Sequence, residues 1–267
     1  MKIGIIGHGF VGKATRQLEC KNIKTIIYDV LDTLCYPKGT QITDMQDCRF
    51  IFICVPTPQG FQGECITDYV QTVINNINKA GIDRSKTFVV IRSTVSIGFC
   101  DSVGAYFLPE FLTEKNYIND FINCKDWIIG SNGNKEFEQS ITELFNIAHR
   151  EGQINYNNMT FVTTKEAEII KYTRNCFLAT KIAFFNEIEE ICEKNGINYE
   201  TVRKGVISDD RIGSSHTMVP GYDGSKGFGG HCLPKDISAL NYFVKDLSDC
   251  NYILNAVIAR NKHDQSR

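Results

Sequence analysis

Lys2-Ile3-Gly4-Ile5-Ile6-Gly7-His8-Gly9-Phe10-Val11-Gly12 is the stretch that decides the fold. A short apolar run is followed by glycines in a G-x-G-x-x-G pattern, where a helix is expected to begin. The three glycines allow a tight turn, a close approach of the backbone to a pyrophosphate, and close packing of the helix on the strand. The N–H groups at a helix N-terminus also favour phosphate. We therefore predict a dinucleotide-binding turn that comprises Gly7, Gly9, Phe10, Val11 and Gly12.

The rest of the first half alternates apolar runs with helical patterns. Buried strands are predicted at Lys2–Ile6, Lys24–Tyr28, Phe50–Val55, Phe88–Ile91 and Trp127–Ile129. Helices are predicted between them at Phe10–Cys20, Ile66–Ala80 and Lys135–His149. This alternation favours an α/β fold, in which a Rossmann-type, doubly wound parallel sheet occupies residues 1–163.

The second half is predicted to be all-helical, over residues 164–267. From Thr164 to Asn195 the chain contains neither glycine nor proline, so we expect one long central helix. Thr164 is predicted as its N-cap and Gly196 as its stop. Shorter helices are predicted at Asn198–Ser208, Lys235–Val244 and Asn251–Lys262.

Polar groups follow the predicted strands at the edge where an open α/β sheet binds its ligands. Asp29 lies 22 residues beyond Gly7, where a carboxylate can accept hydrogen bonds from both ribose hydroxyls. Because a carboxylate there would repel a 2′-phosphate, NAD is favoured over NADP. Further cofactor contacts are predicted at Val55, Pro56, Thr57, Ser93 and Thr94.

Two pairs of polar residues are spaced as neighbours on a helix. Glu110 and Glu114 are four residues apart, so they share one face if their segment is helical. Lys171 and Asn175 have the same spacing on the long predicted helix. A solvent-exposed helix face would explain either pair taken by itself.

Cys232 differs from the other cysteines in its sequence environment. It follows a glycine-rich loop at the expected start of a helix, with Lys235 and Asp236 close behind. A helix N-terminus and a nearby cation lower the pKa of a thiol and so produce a nucleophilic thiolate. The eleven cysteines show no CxxC spacing and no zinc-like combination with histidine, so we expect neither a metal site nor a disulfide framework.

Composition excludes several classes of function. The 267 residues carry a formal net charge of −2, which lacks the basic field expected of a protein that binds nucleic acid or an anionic membrane. No apolar run approaches the roughly 20 residues that span a bilayer. The glycine-broken N-terminus is also unlike a signal peptide. We therefore expect a soluble, cytoplasmic protein.

Seven segments together resemble the nucleotide-sugar 6-dehydrogenase family, the UDP-glucose/GDP-mannose dehydrogenases. They follow the order of the family's motifs and cover nearly the whole chain. The resemblance implies an NAD-dependent, four-electron oxidation of a sugar C6 alcohol to a carboxylate. The segments are Gly7–Gly12, Val55–Pro58, Ser93–Val95, Pro109–Leu112, Lys171–Leu178, Asp210–Gly213 and Gly227–Asp236.

The resemblance also implies a division of chemical roles. Cys232 would attack the aldehyde to give a thiohemiacetal, which is oxidised to a thioester. Asp236 and Lys171 would take the first hydroxyl proton, and Lys171 with Asn175 would stabilise oxyanions. Glu110 would be the general base for thioester hydrolysis, with Thr94 orienting the water.

Substrate contacts and assembly are implied in the same way. The motif Asp210-Arg211-Ile212-Gly213 favours UDP-glucose over GDP-mannose, whereas Gly230-His231-Cys232 is similar to the UDP-N-acetylmannosamine branch. The long helix resembles the family's dimer-forming core, so a homodimer is expected. The implied substrate-binding residues are Phe111, Leu112, Glu114, Lys171, Asn175, Arg211, Phe228, Gly229 and Gly230.

One departure from the family keeps other functions open. Family members usually continue into another α/β domain that grips the substrate's nucleotide, so we expect a short form with weaker substrate affinity. An NAD- and nucleotide-sugar-binding regulatory subunit without turnover is a second hypothesis. A relative of the hydroxyacid dehydrogenases is a third, although that layout does not need the loop that carries Cys232.

Overall fold

The computed structural model describes residues 1–245 and 251–267. The chain forms two compact units, and each is described separately. The first comprises Met1–Pro58 and Ile66–Lys171, and the second comprises Gln59–Cys65 and Tyr172–Arg267. In the described part of the chain, no helix is long and apolar enough to cross a membrane.

A seven-stranded sheet forms the centre of the first unit, in the order β2-β1-β3-β4-β5-β6-β7. Neighbouring strands are parallel except β5 and β6, which are antiparallel. The predicted Rossmann-type sheet is therefore confirmed, with one reversal that the sequence did not indicate. The strands are β1 (Lys2–Ile6), β2 (Lys24–Tyr28), β3 (Phe50–Ile53), β4 (Phe88–Ile91), β5 (Tyr106–Phe107), β6 (Asp126–Gly130) and β7 (Asn158–Val162).

Two of these strands were missed by the sequence analysis for identifiable reasons. Strand β5 is only two residues long, which is too short to show a periodicity. Strand β7 lies at the edge of the sheet, and its residues are exposed or half-buried. An edge strand of this kind lacks the continuous apolar run that marks a strand buried on both faces.

Nine helices are present in the described residues, and most match the predictions to within a few residues. The first ends at Thr15 and is followed by a 3₁₀ turn, so the predicted helix to Cys20 was too long. The eighth begins at Cys232, three residues before its predicted start. The helices are α1 (Phe10–Thr15), α2 (Asp68–Lys79), α3 (Phe99–Ser102), α4 (Tyr117–Ile122), α5 (Lys135–Arg150), α6 (Thr164–Lys194), α7 (Tyr199–Val206), α8 (Cys232–Val244) and α9 (Tyr252–Asp264).

The long helix α6 begins with a capping box one residue earlier than predicted. Thr163, rather than Thr164, accepts a hydrogen bond from the Glu166 N–H at 3.2 Å. Glu166 accepts in return from the Thr163 N–H at 2.7 Å, which satisfies a second free donor. The expected long central helix is thus confirmed, and only the identity of its cap was wrong.

Apolar side chains pack on both faces of the sheet and form a third cluster in the second unit. Alternation along β4 sends Phe88 and Val90 to one face, and Val89 and Ile91 to the other. The third cluster is formed by α6, α8 and α9 with the loop residue Phe228. The ten described cysteines form no disulfide bond and Cys250 lies outside the described residues.

Candidate functional site

The glycine-rich turn has the geometry that a bound pyrophosphate requires. Gly7 has φ +92°, and a Cβ atom there would lie 2.7 Å from the Cys54 carbonyl oxygen. A Cβ on Gly12 would collide with the carbonyl of Gly7, whereas one on Gly9 would meet nothing within 4 Å. Two glycines therefore serve close packing, and the third leaves the backbone open to a ligand.

Asp29 is held against this turn at the end of β2. Its carboxylate accepts hydrogen bonds from the His8 N–H at 2.7 Å and the Leu31 N–H at 3.0 Å. Each carboxylate oxygen can accept more than one hydrogen bond, so both retain capacity for ribose hydroxyls. The residues present thus fit the adenosine half of NAD.

The other predicted cofactor residues lie along the same edge of the sheet. Strands β1 to β4 are parallel, so their carboxyl ends meet at one edge. The Ser93 hydroxyl donates to the Val55 carbonyl at 2.6 Å and joins the ends of β3 and β4. Thr57 and Thr94 are buried nearby on these loops, whereas Pro56 is exposed.

Glu110 and Lys171 form a buried ion pair in the first unit. The Lys171 ammonium lies 2.7 Å from Oε1 of Glu110 and donates also to the Glu110 carbonyl at 2.6 Å. Both residues are no more than 5% exposed. Burial favours a higher pKa for the Glu110 carboxyl, but the charge and hydrogen bond of Lys171 and the Leu112 N–H hold this pKa below its usual value. The carboxyl is therefore an anion at neutral pH.

The condition for Glu110 and Glu114 to share a face is not met, because residues 109–113 are not helical. The Glu110 side chain turns back onto the Leu112 N–H at 2.8 Å, which gives the backbone an alternative to helix formation. Glu114 is exposed in a turn. Phe111 and Leu112 are half-buried, and the Lys171 ammonium lies 5.5 Å from the centre of the Phe111 ring.

Asp236 is the centre of a second buried cluster, which lies in the second unit. Its side chain is fully buried, and its two oxygens contact the Asn175 amide at 2.5 Å and the Lys235 ammonium at 2.5 Å. Cys232 is the first residue of the same helix, α8, and is half-buried. Four residues separate Cys232 from Asp236, so both side chains lie on one face of α8.

Cys176 is a buried thiol of the second unit whose surroundings make it unreactive. Burial and then the charge of Asp236 raise the pKa of the Cys176 thiol to about 12. A thiol with this pKa is protonated at neutral pH and is a poor nucleophile. Cys232, at a helix N-terminus, has the more favourable position for nucleophilic chemistry.

The remaining predicted substrate residues lie in two loops of the second unit. Phe228 packs in the helical core, and Asn261 binds its N–H at 2.6 Å and its carbonyl at 3.0 Å. Gly229 and Gly230 are exposed. The side chain of Arg211 is 89% exposed and is paired with Asp209. Their substrate contacts stay predictions.

The sequence analysis missed two buried residues that lie beside the predicted site residues. Asn261 fixes the backbone of the loop before Cys232, and no spacing pattern marks it. Arg92 lies directly after β4, is 1% exposed and lines one small cavity with Glu110. The sequence signal for a buried arginine was its position directly after the fully apolar run Phe88–Ile91.

Only one group of the described residues has the spacing of metal ligands, namely Glu190, His263 and Asp264. Its carboxylates are already paired with cations. Arg260 contacts Glu190 at 2.8 Å and Asp264 at 2.6 Å, and Arg267 lies 3.6 Å from Glu190. These ion pairs explain the cluster without a metal.

Comparison with known protein families gives two matches that cover most of the chain. Residues 17–149 match the NAD binding domain of the UDP-glucose/GDP-mannose dehydrogenase family, and residues 165–263 match its central domain. The chain belongs to the UDP-glucose/GDP-mannose dehydrogenase family. NAD is accordingly the cofactor of the first unit, in agreement with the glycine turn and Asp29.

Individual relatives of this UDP-glucose/GDP-mannose dehydrogenase family member support the assignment. The UDP-glucose 6-dehydrogenase of Rickettsia felis is 38% identical over 237 residues, which cover 84% of this chain and 50% of the relative. A UDP-glucose dehydrogenase from the archaeon Pyrobaculum islandicum shares the fold, with a TM-score of 0.83 at 23% identity, over 98% of this chain and 68% of that one. A GDP-mannose dehydrogenase from Pseudomonas aeruginosa is 27% identical, with a TM-score of 0.70, over 99% of this chain and 69% of that one. This family member spans about half the length of the curated relatives that it matches.

Proposed function

We propose that this chain oxidises the C6 alcohol of UDP-glucose to the carboxylate of UDP-glucuronate, using two NAD⁺ and a covalent intermediate on Cys232. The name of the Rickettsia felis relative supports the substrate. The cluster around Asp236 is the observation that carries the chemistry. A fully buried carboxylate, held by an amide and an ammonium one helical turn from a thiol, is an arrangement typical of a functional site.

The first oxidation needs a base at the sugar hydroxyl. In the proposal Asp236, with Lys171, receives the hydroxyl proton, and Asn175 keeps the Asp236 carboxylate fixed. Bound NAD⁺ supplies the hydride acceptor in each oxidation. The products of this step are the C6 aldehyde, one NADH and one proton.

The second oxidation proceeds on the protein itself. The Cys232 sulfur bonds to the aldehyde carbon and gives a thiohemiacetal, whose oxygen takes up a proton. Loss of a hydride from that carbon and of the hydroxyl proton then gives a thioester and a second NADH. Lys171 and Asn175 are the proposed donors to the oxygen as its negative charge develops.

Hydrolysis releases the product. Glu110 is the proposed base for a water that Thr94 orients, and this water attacks the thioester carbon. The C–S bond breaks, which regenerates Cys232 and leaves the carboxylate. Glu110 enters this step as an anion because Lys171 holds its pKa below the usual value.

A stoichiometric assay tests the proposal. We expect two NADH per UDP-glucose, and we expect Cys232→Ala to reduce formation of UDP-glucuronate on the order of a thousandfold or more, because the nucleophile of the second oxidation is gone. Cys20→Ala, a half-buried cysteine of the first unit, is the matched control and should retain the activity. Absence of NADH at millimolar UDP-glucose would refute the assignment.

The same assay separates the alternatives. Turnover of GDP-mannose or UDP-N-acetylmannosamine in place of UDP-glucose would support the proposed reaction but assign it to a different nucleotide sugar. Binding of NAD and UDP-glucose without NADH would instead identify a regulatory subunit.

Homodimer formation through the second unit is also part of the proposal. Three large apolar side chains lie exposed on α6 at intervals of seven residues, namely Phe177 (65%), Phe184 (56%) and Ile191 (49%). Residues at this spacing form one stripe along a helix, which suits packing against a second copy. A cytoplasmic location is proposed on composition alone.

A further inference from the structure

Arg92 is a charged side chain buried where an apolar residue would be expected. It continues β4, is 1% exposed, and its guanidinium carbon lies 5.3 Å from the centre of the Phe121 ring. Its Nε and Nη1 atoms have no hydrogen-bond partner among the described residues. A buried cation is unfavourable unless an opposite charge compensates it.

Glu110 is the carboxylate placed to compensate Arg92. Strands β4 and β5 are parallel neighbours, and the Leu108 N–H donates to the Ile91 carbonyl at 2.9 Å. Arg92 and Glu110 therefore leave adjacent strands at the same edge of the sheet. Both line one small cavity of about 20 Å³, which has room for about one water molecule. Because both groups are buried, water screens the interaction of their charges only weakly.

Other ionisable groups also lie around Arg92. Burial raises the pKa of the Cys54 thiol to about 11, so that thiol is neutral at physiological pH. The Asp120 carboxylate accepts hydrogen bonds from the N–H and hydroxyl of Thr113, and Asp126 is exposed. The full set that faces Arg92 or its partner comprises Cys54, Glu110, Asp120, Cys124, Asp126 and Lys171.

We propose that Arg92 is a positioning residue that keeps Glu110 charged and oriented for the hydrolytic step. Lys171 is assigned two tasks, pairing with Glu110 and stabilising an oxyanion, and it cannot perform both fully at once. A second buried cation on the sheet side keeps Glu110 ionised while Lys171 serves the substrate. The catalytic consequence rests on the proposed function, whereas the electrostatic effect on Glu110 does not.

A titration of Glu110 in the full chain, without substrate, tests the proposal. Carboxyl-labelled glutamate is followed by ¹³C NMR, and the Glu110 resonance is assigned by its loss in Glu110→Gln. We expect Arg92→Met to raise the pKa of Glu110 and Arg92→Lys to restore it. In the pH profile of the rate of NADH formation, the acid limb should move to higher pH in Arg92→Met. At acidic pH the rate should fall about tenfold for each pH unit by which the limb moves.

Arg49→Met is the matched control for removing an arginine charge from the first unit. The Arg49 guanidinium also lies over an aromatic ring, 4.4 Å from the centre of Phe88, but it pairs with Glu136. The Glu110 titration should be unchanged in this variant. Folding of every variant is checked by the fluorescence of Trp127, the single tryptophan, which lines the same cavity.

Arg92→Gln replaces Arg92→Met if the methionine variant does not fold. An unchanged Glu110 titration in a folded neutral variant would overturn the inference, whatever the activity. A wild-type protein that forms no NADH would instead overturn the proposed function, because the titration needs no turnover. The two failures are therefore distinguishable.

Discussion

Glu110 and Glu168 are two buried glutamates of the first unit whose pKa values move in opposite directions. Glu168, on α6, accepts hydrogen bonds from the Gly98 N–H at 2.5 Å and the Cys100 N–H at 2.9 Å. Burial raises its pKa despite these hydrogen bonds, and the nearby Asp101 adds to the effect. Glu110 is buried as well, but Lys171 holds its pKa below the usual value.

This contrast indicates that a cation, rather than hydrogen bonds alone, decides the direction in which the pKa of a buried carboxyl moves here. Glu168 joins α6 to the start of α3 and needs no negative charge for that role. Glu110 has a cation from α6 at one oxygen and a second cation, Arg92, across a small cavity. Glu110 is thereby prepared for chemistry that requires an anion.

The largest expected effect comes from removing the cation of the Glu110 pair. Lys171→Met leaves a buried carboxylate without its main partner, so the free energy of unfolding should fall by about 3–5 kcal/mol in urea denaturation. Lys165→Met is the control, since Lys165 is 63% exposed and its pair with Asp101 is long, at 3.5 Å. If Lys171→Met lowered the free energy of unfolding no more than Lys165→Met does, the Lys171 cation would not be the main partner of the buried Glu110 carboxylate.

A smaller effect is expected at Asp236, the buried carboxylate of the second unit. Asn175→Ala removes the amide donor but leaves the Lys235 ammonium, so the loss should be about 1–3 kcal/mol. Asn195→Ala, at the exposed end of the helical segment, provides a control because its amide only bonds the Ile191 carbonyl. If Asn175→Ala cost as much as Lys171→Met, the amide would matter as much as the cation.

The smallest effect is a difference in pH dependence between Glu110→Gln and Glu168→Gln. The folded pKa of Glu110 lies below its unfolded value, near 4.3, so its contribution to stability is present above that pH and is lost as the pH falls through the folded pKa. The folded pKa of Glu168 lies above the unfolded value, so its ionisation costs stability at neutral pH, and this cost disappears in acid.

Free energies of unfolding at pH 7 and pH 4 measure this difference. Glu110→Gln should cost more stability at pH 7 than at pH 4, and Glu168→Gln should cost less stability at pH 7 than at pH 4. Glu143→Gln, on the exposed face of α5, corrects for general effects of charge. The same pH trend in both variants would show that folding shifts the pKa values of the two glutamates in the same direction.

Much of the fold was predictable because its determinants are local. The glycine turn and the apolar runs of β1 and β4 each need only neighbouring residues, and their bounds were right. The end of α1 and the start of α8 were misplaced, because helix ends depend on capping contacts that a periodicity does not show. Strand β5 is two residues long and exists through its pairing with β4 and β6.

The candidate site also has features that follow from the sequence and features that only the tertiary structure decides. The sequence by itself determined which reactive groups are available, from the thiol of Cys232 to the carboxylate of Asp236, because motif spacing is a property of the chain. Tertiary structure alone decided that Glu110 turns away from Glu114 and pairs with Lys171, sixty-one residues distant. It also decided that Arg92 is buried beside Glu110. The charge of a buried carboxyl depends on the cations that folding brings near it, and no local pattern encodes that proximity.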